Sequence, residues 1–208
     1  YSDQKEVEYY TTMIRRGLHS HEKLFFTQRL LNVPKDQDIL IVGGGCGREA
    51  FALSHWGYNV DVLDISSSMI QKGRKVAKQL EAPVEFHYAN LQSYKTKKKY
   101  GFIFICTSLL NFIQGRPHRI QFLQKAHDLL IDKSCLAVEV DVFQYRGLHR
   151  FNIASRLLKW KIGSYWEKGD TVRSFYGKHN TTQQTLFYHF YQRSPEVINE
   201  FKEAGFDK

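Results

Sequence analysis

The stretch that decides the fold is residues 39–69, ILIVGGGCGREAFALSHWGYNVDVLDISSSM. It opens with four apolar residues, Ile39–Val42, a run typical of a strand buried on both faces of a parallel sheet. After a glycine-rich turn, Arg48 to Trp56 has the pattern of a helix that Gly57 ends. Asn59 to Leu63 is then a second strand. The segment predicts a βαβ unit whose first strand-to-helix junction is rich in glycine.

Two features of this unit indicate a nucleotide-type ligand. Gly43 to Gly47 stands where a strand ends and a helix begins, so backbone N–H groups and the helix dipole can meet a polar ligand. Glycine permits the tight turn and lets a cofactor approach the backbone. Asp64 ends the second strand, 17 residues after Gly47, where a carboxylate can accept both hydroxyls of a ribose.

The glycines fit two frames, and each frame implies a different cofactor. Gly45, Gly47 and Ala50 satisfy the dinucleotide fingerprint, in which the third small residue lets helix and strand pack closely around a pyrophosphate. The frame of Gly43, Gly45 and Gly47 starts directly after Val42, where the strand ends, and needs no extra loop residues. An NAD-dependent oxidoreductase is therefore an open alternative at this point.

Strands and helices continue to alternate up to residue 143. Ser66 or Ser67 can cap a helix that runs to about Leu80, and Pro83 stops it. Residues 117–130 also have helical periodicity. Strands that alternate with helices of this length predict an α/β fold, with a doubly wound, mostly parallel sheet. The predicted strands are Ile39–Val42, Asn59–Leu63, Val84–Tyr88, Gly101–Cys106 and Cys135–Val142.

We predict one domain made of three regions. Residues 1–36 form an N-terminal helical lid, residues 37–143 form the Rossmann-like core, and residues 144–208 form a helix and hairpin insertion and the C-terminal part of the same domain. In the insertion, Thr171–Tyr176 and Thr185–Tyr191 can pair as antiparallel strands. The chain starts without a methionine and stops just after a helix, so we expect it to be a piece of a longer polypeptide.

Composition narrows the class of protein. No apolar run approaches the roughly 18 residues that cross a bilayer, and no secretory leader opens the chain, so we expect a soluble protein with no membrane partner. The spacing of Cys46, Cys106 and Cys135 fits neither a disulfide framework nor a metal site, which favours the cytoplasm.

The net charge of +9 favours an anionic partner. Its densest cluster, Lys95–Lys99, lacks interleaved aromatic residues, so nucleic acid is an alternative that we do not prefer.

Several motifs resemble the class I S-adenosylmethionine-dependent methyltransferases. The glycine turn with its strand, together with Val62 to Met69, resembles the first two cofactor motifs of that family. Tyr88 to Leu91 resembles the loop after the third strand, Tyr100 to Ile105 the fourth strand, and Glu203 to Phe206 the end of the last large helix. The resemblance covers most of the chain. It implies the Rossmann-like methyltransferase fold, with S-adenosylmethionine as the cofactor.

The resemblance also implies roles for single residues. The glycines would line the methionine part of the cofactor, and Asp64 would hold the ribose hydroxyls. Two apolar residues after it would flank adenine, whose amino group would meet the Asn90 amide oxygen and whose ring would meet the Leu91 N–H. A backbone carbonyl near Gly43 or Cys106 would hold the methionine amino group. The cofactor-binding residues implied in this way are Gly43, Gly45, Gly47, Asp64, Ile65, Met69, Asn90, Leu91 and Cys106.

Two positions depart from the family pattern. The family commonly has an acid two residues before the first glycine, where this chain has Ile41, and an aspartate at the start of the fourth strand, where this chain has Gly101. These missing acids keep a further alternative open, namely a catalytically silent member that acts as an interaction module.

Methyl transfer from a sulfonium is an in-line displacement, so the protein mainly aligns the nucleophile with the methyl group and excludes water. We predict transfer to a nucleophilic nitrogen or oxygen of a small molecule, with RNA as the alternative substrate. Because ligands lie over the carboxyl ends of parallel strands, residues 106–111 and 141–146 and the N-terminal helices should form the substrate site. The sequence assigns no catalytic residue and no oligomeric state. The candidate substrate-binding residues are Tyr10, Met13, Asn111 and Tyr145.

Overall fold

The computed structural model describes residues 9, 12–106, 108–142, 166–176 and 183–207. The chain divides into two compact units, one within residues 1–106 and 128–137 and the other within residues 107–127 and 138–208. Within the described ranges, no helix is long and apolar enough to cross a membrane.

Five strands form the sheet of the first unit: β1 (Ile39–Val42), β2 (Val60–Asp64), β3 (Val84–Tyr88), β4 (Tyr100–Ile105) and β5 (Leu130–Val138). Their order is β3-β2-β1-β4-β5. β1 pairs in parallel with β2 and with β4, and β2 pairs in parallel with β3. The strand order reverses at β1, which is the arrangement of a doubly wound sheet. The predicted α/β fold is confirmed.

The helices of the first unit begin and end where local chemistry requires it. They are α1 (Ser20–Arg29), α2 (Arg48–His55) and α3 (Ser67–Leu80), with a 3₁₀ turn at Leu91–Ser93. The Ser66 hydroxyl accepts a hydrogen bond from the Met69 N–H at 3.4 Å and so caps α3. Glu81 takes the left-handed conformation after its last turn, and Pro83 prevents any continuation.

The N-terminal residues are part of the core of the first unit. Residues 12–16 are helical, Gly17 adopts a φ of +65°, and α1 follows, so this glycine separates two helices. The Phe26 ring lies 5.0 Å from the Phe104 ring, edge to face, and is 1% exposed. α1 therefore packs on the sheet through its aromatic residues, and its predicted role as a lid stays a prediction.

The described residues of the second unit include a hairpin and two helices. The helices are α4 (Arg116–Asp128), whose last residue falls in the first unit, and α5 (Ser194–Glu203), and a 3₁₀ turn precedes them at Leu109–Phe112. β6 (Asp170–Tyr176) and β7 (Gln183–His189) pair antiparallel, with Asp170 opposite His189. The predicted pairing is confirmed, with strand ends shifted by one or two residues.

The fifth strand was predicted in the wrong place. Cys135–Val142 was expected, whereas the structure has Leu130–Val138. The strand stops early because the Asn111 side chain forms hydrogen bonds with the backbone of Asp141. The Asn111 Nδ2 donates to the Asp141 carbonyl at 3.1 Å, and the Asn111 Oδ1 accepts the Asp141 N–H at 3.0 Å. A residue whose N–H and C=O are both bound by a side chain cannot continue a strand ladder.

Candidate functional site

Three glycines of the turn between β1 and α2 have left-handed backbone conformations, with φ of +75° at Gly43, +53° at Gly45 and +87° at Gly47. Any residue with a Cβ is strained there. A Cβ on Gly47 would also lie 2.6 Å from the Phe86 ring, whereas one on Gly45 would meet no described atom beyond its neighbours within 4 Å. Gly47 is therefore required for packing, and Gly45 borders open space that a ligand can fill.

The protein itself uses most of the backbone N–H groups of this turn. Gly43 and Gly44 both donate to the Leu63 carbonyl, at 2.7 and 3.3 Å, and Gly47 donates to the Gly44 carbonyl at 2.8 Å. An oligophosphate is held by several backbone N–H groups that point at it. These three N–H groups point at carbonyl oxygens of the protein instead.

Asp64 connects the end of β2 to the glycine turn. Its Oδ2 accepts the Gly45 N–H at 2.8 Å, and its Oδ1 accepts the Ser66 N–H at 2.8 Å. Each carboxylate oxygen has a further lone pair, and the side chain is half-buried, so two ribose hydroxyls can still donate to it. An anion at Gly45 would have to approach this carboxylate, and like charges at such a distance repel. The geometry favours a nucleoside with no phosphate at the turn.

The two apolar residues predicted beside adenine differ in exposure. Ile65 is 70% exposed and offers an apolar surface next to Asp64. Met69 is 3% exposed, its Sδ lies 3.2 Å from the Cys46 Sγ, and Ile14 packs against both. The structure thus places Met69 in the packing beside the turn.

Three further predicted residues follow the neighbouring strands. Asn90 is exposed, and its Oδ1 accepts the Gln92 N–H at 3.0 Å, which leaves a lone pair for a ligand amino group. Leu91 is buried and begins the 3₁₀ turn. Cys106 directly follows β4, and its N–H donates to the Val42 carbonyl at 3.0 Å. All nine predicted cofactor residues therefore lie in or directly after the loops at the carboxyl ends of β1 to β4.

At the two positions where the family has an acid, this chain has Ile41 and Gly101, and each position is filled by apolar or neighbouring side chains. Ile41 is fully buried in β1. A Cβ on Gly101 would stand 2.7 Å from the Cβ of Gln37, so the Gln37 side chain takes the space of the family's aspartate. Both departures are accommodated by packing, and Asp64 and the glycine turn keep their hydrogen bonds.

Arg48, the first residue of α2, anchors the N-terminal segment. Its guanidinium donates to both carboxylate oxygens of Glu22 at 2.6 Å and to the Gly17 carbonyl at 3.3 Å. Burial raises the pKa of Glu22, but the hydrogen bonds from Arg48 and the His19 backbone outweigh it and lower the pKa overall. Two charged groups held in this bidentate geometry fix the start of α1 beside the glycine turn.

A buried carboxylate, Asp61, lies on β2 away from the glycine turn. It forms with Glu85 and His87 the sole group of potential metal ligands that the described residues contain. The Lys98 Nζ lies 3.2 Å from both Asp61 carboxylate oxygens and 3.4 Å from the Glu85 carboxylate. An ammonium group therefore supplies the positive charge at this place.

Of the predicted substrate residues, Tyr10 and Tyr145 lie outside the described residues. Met13 is half-buried in the first unit. Asn111 is fully buried in the second unit, and besides Asp141 it donates to the His189 carbonyl at 2.6 Å. Its side chain thus positions the backbone of Asp141.

The Asp141 carboxylate accepts hydrogen bonds from two hydroxyl groups. None of these three residues was among the candidates that the sequence analysis named. The Ser108 Oγ donates to its Oδ2 at 3.3 Å, and the Tyr188 hydroxyl donates to the same oxygen. Ser108 and Asp141 each lie three residues after the end of a strand. Both fall within the segments 106–111 and 141–146 that the sequence predicted for the substrate site, so the sequence could have indicated both. Tyr188 lies in the hairpin, and nothing in the sequence connects it to them.

Residues 39–133 match the family model described as a methyltransferase domain. This segment belongs to the methyltransferase domain family. The predicted family and the prediction of an enzyme are confirmed. No curated protein matches the sequence.

Solved methyltransferase structures share the fold of this methyltransferase. An S-adenosylmethionine-dependent methyltransferase from Clostridium acetobutylicum is 12% identical over 96% of this chain and 86% of its own, with a TM-score of 0.68. One from Methanosarcina mazei is 17% identical over 90% and 84%, with a TM-score of 0.67. The amino pentose methyltransferase CalS10 from Micromonospora echinaspora is 16% identical over 99% and 89%, with a TM-score of 0.64. At these identities the likeness is one of fold.

Proposed function

We propose that this methyltransferase transfers a methyl group from S-adenosylmethionine to a nucleophilic nitrogen or oxygen of a small molecule by in-line displacement. The observation that carries the proposal is the hydrogen bond from the Gly45 N–H to Asp64. It puts a carboxylate at the turn where a dinucleotide enzyme would hold a pyrophosphate. S-adenosylmethionine has a sulfonium, an ammonium and one carboxylate, so its net charge is positive, whereas a pyrophosphate is negative and would be repelled by this carboxylate.

Each part of the site has a role in holding the cofactor. The open side of Gly45 admits the methionine portion, Asp64 accepts the ribose hydroxyls, and Asn90 accepts the adenine amino group beside the apolar surface of Ile65. When bound, the sulfonium supplies a methyl group with an already activated leaving group. The protein therefore needs to hold the acceptor in line and exclude water, and needs no strong base.

Two considerations support a small-molecule acceptor over RNA. The basic cluster Lys95–Lys99 has no interleaved aromatic residues on which unpaired bases could stack. One structural neighbour, CalS10, is an amino pentose methyltransferase, so the fold serves small acceptors elsewhere. A cytoplasmic location is part of this proposal and is motivated by the sequence spacing of Cys46, Cys106 and Cys135, which fits no disulfide framework.

A methyl-labelling experiment tests the proposed function. The protein is incubated with S-adenosylmethionine that carries a deuterated methyl group, together with a metabolite extract in one arm and total RNA in the other. We expect deuterated methyl in the small-molecule fraction, and its loss with Asp64→Ala. Label in RNA nucleosides alone would replace the small-molecule acceptor by RNA, and no label in either arm would contradict methyl transfer.

A further inference from the structure

We propose that Asp141, held by Ser108 and Tyr188, binds an amine of the methyl acceptor in its ammonium form. The inference rests on the proposed function, since it names the substrate class for the same reaction. All residues that carry it belong to the second unit.

Asp141 is exposed, yet its position is fixed by its neighbours. The Ser108 and Tyr188 hydroxyls both donate to its Oδ2. Asn111, which is fully buried, binds the N–H and the carbonyl of the same residue. An exposed aspartate with no role would be free to rotate, whereas a functional carboxylate is preorganised by surrounding hydrogen bonds. Among the described residues, no hydrogen bond reaches Oδ1, so that oxygen faces a ligand without competition.

The backbone around this carboxylate also shows a strained residue. Ser108 has a φ of +62°, in the left-handed region that favours glycine. The conformation brings its hydroxyl to Asp141 and its N–H to the Glu139 carbonyl at 3.0 Å. Local strain of about 1–2 kcal/mol is retained where the surroundings require the geometry, and such residues concentrate at functional sites.

Two aromatic rings pack against the ring of Tyr188, whose hydroxyl reaches Asp141. The Tyr188 ring lies 4.9 Å from the Phe112 ring and 4.9 Å from the Phe190 ring. Tyr188 is 2% exposed, while the two phenylalanines are half-buried and so keep part of their surface accessible. A carboxylate beside aromatic rings is the chemistry that recognises organic ammonium groups, through charge and through the negative faces of the rings.

The positive net charge of the chain makes the Asp141 carboxylate selective for an ammonium group. The protein has a net charge of +9, so a cation is repelled at long range and needs a local acid to bind. The Ser108 and Tyr188 hydroxyls hold the Asp141 carboxylate in place without neutralising its charge, since neither is a cation. A neutral alcohol of the same shape would lose the ion pair, and a carboxylic acid would be repelled.

Binding of matched small probes tests the inference. Benzylamine, benzyl alcohol and benzoate are titrated by NMR at pH 7 into the protein saturated with S-adenosylhomocysteine. We expect only benzylamine to bind, and we expect Asp141→Asn to weaken its binding about tenfold, or about 1.4 kcal/mol, because the variant loses the charge that pairs with the ammonium group. Tyr188→Phe, which keeps the ring and removes the hydroxyl, should give a smaller loss. Asp132→Asn, which removes an exposed carboxylate on β5, should have no effect.

The outcomes separate this inference from the proposed function. Affinity for S-adenosylhomocysteine is measured first on each variant, and it should be the same in Asp141→Asn and in the wild type. If the nucleoside binds but benzylamine does not, or binds Asp141→Asn equally well, the amine site is overturned and methyl transfer stands. If benzylamine binds through Asp141 and the nucleoside does not bind, the cofactor assignment fails and the amine site remains.

Discussion

Asp64 Oδ2 accepts the backbone N–H of Gly45 at 2.8 Å, across 19 positions of the chain. One carboxylate thus fixes the glycine turn and presents its remaining lone pairs to a ribose. Cofactor affinity and the shape of the turn are therefore linked through one side chain.

Replacing Asp64 by Asn should weaken cofactor binding strongly. An amide has a single acceptor oxygen, so one of the Gly45 and Ser66 N–H groups loses its acceptor and meets an NH₂ group. We expect the Kd for S-adenosylhomocysteine to rise about 10- to 100-fold, as the loss of hydrogen bonds to a charged group costs about 1.5–3 kcal/mol. Calorimetry measures it, with Asp132→Asn as the matched control. Equal affinity in both variants would show that Asp64 does not contact the cofactor.

Gly47→Ala should destabilise the protein far more than Gly45→Ala. Both residues have positive φ, but only at Gly47 would the new Cβ collide with Phe86. We expect a loss of about 1–2 kcal/mol at Gly45 from backbone strain, and of about 3–4 kcal/mol at Gly47, where overpacking adds to the strain. Urea denaturation gives both values.

The collision can be relieved to test its cause. In a Phe86→Leu background, where the smaller side chain leaves space, Gly47→Ala should cost less than in the wild type. An unchanged cost in that background would mean that strain of the turn alone explains the effect.

The contribution of Asp61 to stability should disappear in acid. Burial raises the pKa of Asp61, but the nearby His87 ring and the hydrogen bonds from Tyr100 and Lys98 outweigh it and lower the pKa overall. A folded-state pKa below the unfolded value means that the stabilisation is present above about pH 4 and is lost as the pH falls through the folded-state pKa. Lys98 shows the reciprocal effect, since Asp61 raises its pKa to about 12 despite partial burial.

Urea denaturation of wild type and Asp61→Asn between pH 3 and pH 7 measures this contribution. We expect Asp61→Asn to be less stable by about 2 kcal/mol at pH 7, and the difference to shrink steadily below pH 4. A difference that does not change with pH would show that the charge of Asp61 contributes nothing.

In the second unit, Arg119→Met should be strongly destabilising. Arg119 is 1% exposed and donates to Glu200, which is 2% exposed, at 2.7 Å. Removing the cation leaves a buried carboxylate without its charge partner, which costs about 3–5 kcal/mol. Arg116→Met breaks the exposed pair with Glu203 and should leave the unfolding midpoint unchanged. Adding Glu200→Gln to Arg119→Met should recover part of the loss, and no recovery would mean that packing, not charge, is responsible.

The sequence was sufficient for the parts of the fold that depend on local patterns. The apolar run Ile39–Val42, the Ser66 cap and the stop at Pro83 act over a few residues, so strands, helices and the position of the glycine turn followed from them. The positions of the predicted cofactor residues next to the strand ends followed for the same reason, and their role in binding the cofactor stays a prediction.

Contacts between distant residues could not be predicted in this way. β5 ends early because Asn111 binds the backbone of a residue 30 positions later, and no local pattern encodes that. Tyr188 reaches Asp141 across 47 positions, and Gln37 fills the space beside Gly101 on a neighbouring segment. Such contacts depend on the packed structure and were visible only there.

One titration tests the central claim most directly: calorimetry of the wild-type protein with S-adenosylhomocysteine and, separately, with NAD⁺. Because the Gly43, Gly44, Gly45 and Gly47 N–H groups donate to acceptors of the protein and not to a pyrophosphate, we expect binding of S-adenosylhomocysteine in the micromolar range or tighter, about −8 kcal/mol, and no heat from NAD⁺. Binding of NAD⁺ in preference to S-adenosylhomocysteine, or of neither, would contradict the account.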